Sequence, residues 1–187
     1  RDQPRSRGLG DVYKRQPLRD ALDYLRDELV NIYEEHGKKY FNNDVWEVRN
    51  KYVDVILDRG DMNVRKFQQE NFLPNLSDED KVRAMELLEI QRQSMLMYTS
   101  CGWFFSEISG IETVQIMKYA ARAMQLAAKF TDKNIEEHFL NILAEAKSNI
   151  PEHGTGKDIF ERFVKPSIVT AKQIASLWAL SSLCLLY

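Results

Sequence analysis

Between Ile111 and Phe130 the apolar residues fall on two adjoining helical stripes. Val114, Met117, Ala121, Met124 and Ala128 keep one three-four rhythm, and Ile116, Ala120, Ala123, Ala127 and Phe130 keep another beside it. A helix apolar on two faces, with many small side chains, must be covered by close neighbours on both. This one segment therefore demands a bundle around it.

The rest of the chain supplies candidate neighbours. Leu18, Leu22, Leu25, Leu29 and Ile32 form one amphipathic stripe, with Pro17 suited to a first helical position and Gly37 to the end. Val45, Val48, Tyr52 and Val55 form a second, preceded by the cap candidates Asn42, Asn43 and Asp44. A short helical piece is expected around Val64 to Phe72. Ser77, with acids at 78 to 80, signals a helix start, and that helix is expected to run to about Thr99. Ile135, Phe139, Ile142 and Ala146 mark another helix. Asn149 to Gly156 reads as a loop, Asp158 to Val164 as a short helix, and Ile174, Leu177, Trp178 and Leu180 lie on a last one. No alternating strand pattern occurs. The expected fold is all-α, a bundle of about six to eight helices with no sheet.

Composition removes several function classes. In 187 residues, 44% hydrophobic and 29% charged, the formal net charge is −2. That balance leaves no basic footprint for nucleic acid or an anionic membrane. No apolar run reaches the ~18 residues of a membrane span, and no signal-peptide pattern occurs. Cys101 and Cys184 form neither a disulfide framework nor a metal spacing, so a reducing, cytoplasmic setting is expected, with no metal and no cofactor.

The ends read differently from the middle. Asp11 to Gln16 can be encoded by GATGTGTATAAGAGACAG, and the reverse complement of that DNA contains TGTCTCTTATAC, which encodes Cys184 to Tyr187. Ser6 to Gly10 fit the upstream part of the same transposon-type sequencing adapter. Residues 1–16 and 184–187 are accordingly expected to be adapter-derived, with 17–183 a single helical domain cut from a longer protein.

The helical pattern breaks once in its interior, at Ser94 to Glu112, where Trp103, Phe104 and Phe105 follow Gly102, and Glu107 and Glu112 flank Ser109 and Gly110. Such local breaks are where functional sites gather. Aromatic faces stack on sugar C–H faces, and three adjacent aromatics cannot all face one core, so at least one is expected to face solvent or a partner. The same residues would equally fill the end of a bundle core. Glycoside hydrolysis uses paired carboxylates about 5–10 Å apart; Glu112 is as well explained as a first-turn acid, whereas Glu107 lies in the turn itself. His153, between Glu152 and Gly154, suits an anion or a hydroxyl-rich ligand, or plain solvation. Cys101 has no adjacent base, and a packed or half-buried thiol is expected. Gly154 to Lys157 lacks the full phosphate-loop pattern.

Met97 to Phe105 followed by Glu107 to Gln115 resembles the helical C-terminal region of glycoside hydrolase family 57-like proteins, bacterial proteins of α-amylase or α-mannosidase-like type. Val55 to Arg59, Ala144 to Asn149 with Pro151 to Gly154, and Ala179 to Leu183 extend the resemblance over Pro17 to Leu183. It implies an accessory domain packing on an N-terminal catalytic β/α barrel of the same polypeptide, with α-glucan or a related glycan as the ligand. Catalysis in that family belongs to carboxylates on the barrel, so no catalytic residue carries over. By the same analogy Trp103, Phe104, Phe105 and Glu107 are the cleft-facing, substrate-binding candidates, and His153 joins them on the chemistry of its own loop. The competing expectation is a structural domain for docking or oligomerisation, without ligand contact.

Overall fold

The computed structural model describes residues 10–184, with backbone alone at 10–14, 171, 183 and 184. Residues 1–9 and 185–187 of the two end segments lie outside the described residues. The chain forms α1 (Gly10–Gly37), α2 (Val45–Lys51), α3 (Val53–Leu57), α4 (Asp61–Asn71), α5 (Asp78–Leu96), α6 (Cys101–Phe104), α7 (Ile111–Ala127), α8 (Ile135–Leu143), α9 (Gly156–Ile159) and α10 (Ala171–Cys184). Seven of these have seven residues or more, and no sheet forms among the described residues; the bundle is all-α. Two isolated bridges, Phe41 with Phe72 and Lys147 with Thr155, only clip loops together.

Helix α7 is the centre that its two stripes required. Val114, Ile116, Met117, Ala120, Ala121, Ala123, Met124 and Ala127 are all buried. Its small residues let α5 pack along it. The two helices run in opposite directions: Thr113 at the start of α7 meets Gly102 just beyond the end of α5, while Lys129 beyond the end of α7 meets Glu86 in the middle of α5. Helix α1 crosses α5 in the same antiparallel sense: Gln91 Nε2 donates to Leu29 O at 3.1 Å, and the Tyr98 hydroxyl after α5 meets Asp23. On its other side α1 packs on α8, where Tyr24 meets His138 with ring centroids 4.4 Å apart.

Local signals account for most ends. Asp44 Oδ1 accepts from Trp46 N and Glu47 N, Ser77 Oγ from Asp80 N, and Asn134 Oδ1 from Glu137 N, each satisfying an otherwise unpaired first-turn amide. Pro17 is a correction to the sequence reading. It lies inside α1 and not at its start, so one position of the ladder there lacks its donor. The stripe through Tyr52 and Val55 is broken at Tyr52 between α2 and α3, yet all four of its members stay buried. The helix expected at 158–164 starts earlier, at Gly156 behind a Thr155–Asp158 capping box, and ends in a π-turn over Phe160–Val164. No helix is long and apolar enough to cross a membrane among the described residues.

Candidate functional site

The break in the pattern folds into a short helix and a turn that close the end of the α5–α7 pair. Met97, Gly102, Ile108 and Thr113 are its buried roots. Gly102 lies against α7 so closely that a Cβ there would stand 2.3 Å from Ile116 Cγ2, which explains the glycine. The Thr113 hydroxyl, at the start of α7, donates to Gly102 O at 3.1 Å and so ties the short helix down.

The three aromatics then part company. Trp103 is half-buried, its ring parallel to Tyr98 within 6° at 6.3 Å, and its indole N–H donates to Met97 O at 3.4 Å. The Arg19 guanidinium of α1 stands over both rings, 5.0 Å from Tyr98 and 5.7 Å from Trp103, and Arg15 donates to Trp103 O. Phe104 and Phe105 pack edge to face, 5.1 Å apart, and are 78% and 53% exposed. Ile111 is 79% exposed, so three large apolar side chains reach solvent within eight residues. At least one aromatic facing solvent was expected from their adjacency, and two do so.

Beneath the stacked pair lies a charge cluster. The Tyr98 hydroxyl donates to Asp23 Oδ1 at 2.5 Å, and Arg19 and Arg26 reach the same carboxylate at 3.0 and 2.9 Å. Burial alone would raise the Asp23 pKa, but these hydrogen bonds and charges outweigh it and hold Asp23 below the ordinary value. Burial, then the bond to Asp23, pushes the Tyr98 phenol up.

Glu107 is a knot. Its Oε1 accepts from Ser109 N at 2.8 Å and from the Ser148 hydroxyl at 2.7 Å, and its Oε2 accepts from Asn149 N at 2.7 Å. Burial would raise its pKa; the three donors prevail and lower it. A carboxylate so occupied clamps the aromatic turn to the loop after α8, and it is an anchor for geometry more than a free acid. That loop carries His153 on a one-turn helix, Pro151–His153, and closes on itself through Ser148 N to Gly154 O at 3.0 Å. Gly154 has φ of 65°, a conformation that favours glycine. The His153 ring meets Phe163 edge to face at 5.5 Å, and its Nδ1 is buried without a hydrogen-bond partner among the described residues.

The structure thus ties Glu107 to the loop of His153, turns Trp103 toward α1, and leaves Phe104 and Phe105 in solvent. Cys101 corrects the reading of a packed or half-buried thiol: it is exposed. No group of His, Cys, Asp and Glu suited to a metal occurs among the described residues. Tyr98, Arg19, Asp23 and Ser148 escaped the sequence reading. The i, i+4 spacing of Arg19 and Asp23 signals a helix ion pair, but nothing in sequence joins residue 19 to residue 98.

The sequence matches the family described as Domain of unknown function (DUF3536) over residues 14–187. No curated protein and no solved structure matches it.

Proposed function

The chain belongs to the DUF3536 family, and from the resemblance of Met97 to Gln115 we propose that it is an accessory helical domain of a glycoside hydrolase family 57-like protein acting on α-glucan or a related glycan. In this reading the turn 103–111 is the edge presented to the N-terminal catalytic barrel of the same polypeptide, and this domain is not itself catalytic. The observation that carries the proposal is the exposure of Phe104 and Phe105 on a turn fixed at both ends, by the Tyr98–Trp103 stack and by the Glu107 knot. Exposing such rings on a rigid support has a purpose when a second surface covers them.

Two occupants of that edge compete. A glycan threading between barrel and turn would stack on the aromatic faces, which the half-open Trp103 and the nearby Arg19 and Asp23 favour. Direct docking on the barrel would bury Phe104 and Phe105 themselves. The Glu107 carboxylate, with three of its roughly four acceptor positions already engaged, favours docking.

The test compares the intact parent protein with its Phe104→Ser/Phe105→Ser variant, measuring α-glucan turnover and barrel–domain association by limited proteolysis. Domain separation with loss of activity is the docking result. A raised KM with the domains still associated is the glycan-cleft result. If activity, KM and association all stay unchanged, the edge has neither role and the proposal fails.

A further inference from the structure

Away from the aromatic turn, a cleft of about 420 Å3 opens between the α3–α4 junction, the first half of α5 and the end of α7. One wall is apolar, formed by Met85 and by Val82, which is 57% exposed. The polar lining divides unevenly between donors and acceptors.

Of its three carboxylates, Glu89 and Glu86 are consumed, and Asp78 lies at the rim with its side chain 99% exposed. Glu89 receives the Tyr52 hydroxyl and Arg59, both at 2.6 Å, on one oxygen and Arg92 at 3.2 Å on the other. Glu86 meets both Arg83 and Lys129. Beside Tyr52 and Arg59, which Glu89 takes up, three donor side chains of the lining are less engaged. The Arg122 guanidinium reaches the Gln125 side chain at 2.5 Å and meets no carboxylate among the described residues. Lys81 has only Asp78, at 2.9 Å, whose side chain is 99% exposed; such a pair holds its partners weakly. The Gln68 side-chain amide also lines the cleft and has no partner among the described residues.

A ligand that completes this cleft must bring negative charge, several acceptors and an apolar part. We infer that the cleft binds a small organic phosphate ester, with the phosphate on Arg122, Lys81 and Gln68 and the organic body against Val82 and Met85. A phosphate offers three acceptor oxygens to three donor side chains, whereas a carboxylate offers two, and the guanidinium fork matches phosphate geometry. The volume falls within the range of small-molecule sites.

Phenyl phosphate is the probe, titrated into the full chain at about 0.15 M salt, where long-range attraction is screened. Saturable binding to one site is expected, weakened at least about tenfold (~1.4 kcal/mol) by Arg122→Gln/Lys81→Gln. Inorganic phosphate should bind more weakly and phenol not at all. Lys38→Gln/Lys39→Gln removes the same two positive charges, on exposed lysines outside the cleft, and should leave the affinity unchanged. Val82→Ser, at an exposed position, tests the apolar wall without adding charge and should weaken phenyl phosphate as well. Absence of saturable binding overturns the assignment, as does equal weakening by Lys38→Gln/Lys39→Gln. Phenylacetate binding as tightly as phenyl phosphate overturns the choice of phosphate.

Discussion

At the scale of single residues, Glu107 decides whether the aromatic turn has one conformation. Two neutral backbone amides and a hydroxyl converge on its carboxylate, and hydrogen bonds to a charged group are stronger than neutral ones. Glu107→Gln replaces one oxygen by an N–H₂ that faces donors, leaving one of them unpaired. A loss of about 1–3 kcal/mol is expected, a fall in Tm of roughly 2–4 °C per kcal/mol for a chain of this size. The pH dependence has a definite sign. The folded pKa lies below the unfolded value of about 4.5, so the contribution is fully present above that value and disappears as pH falls through the lower folded one. Urea unfolding of both proteins should show the gap between them narrowing from pH 7 toward pH 3; a constant gap would mean that the charge on Glu107 contributes nothing.

At the scale of elements, the fit of α6 on α7 rests on a missing side chain. Gly102→Ala places a methyl 2.3 Å from Ile116 Cγ2 and 2.9 Å from its Cδ1, so the short helix must lift or Ile116 must move. Overpacking of this kind costs about 1–3 kcal/mol. Ile116→Ala, which empties the same space, should recover part of the loss in the double variant, so that the two changes are clearly non-additive. Additive losses in denaturant unfolding would sink this account of Gly102. The same pair shows what was legible beforehand. The period of Ile116, Ala120 and Ala123 announced a buried face of α7, because a 3.6-residue repeat depends only on neighbours along the chain. Ser77, too, announced the start of α5 from local chemistry alone. The stacking of Trp103 on Tyr98 and the reach of Glu107 to Ser148 were not legible, since both depend on which loops the finished bundle brings together. For the same reason Cys101 read as packed or half-buried when it is exposed: the turn places it outside, and no periodicity governs a turn.

At the scale of the whole molecule, the bundle divides into a packed body and one helix that adds little to it. In α10 the spacing of Ile174, Leu177 and Trp178 puts them on one face, and spacing predicts a helix without saying what covers that face. They are 60%, 67% and 72% exposed, and residues 172–181 are exposed throughout. The segment just before it is tied to the body: Ile168 packs on the core, and Gln125 Nε2 donates to Val169 O at 3.1 Å. Hydrophobic stabilisation follows apolar area removed from water, at about 25 cal/mol per Å2, and α10 removes little. Ending the chain after Thr170 should therefore leave the Tm within about 2 °C of the intact value, less than the shift of a single kcal/mol. The same truncation should reduce binding of a hydrophobic dye, because it deletes exposed apolar side chains without opening the core. A fall in Tm of roughly 5 °C or more would mean that α10 folds back on the body in solution and that the stability of the bundle extends to its last helix.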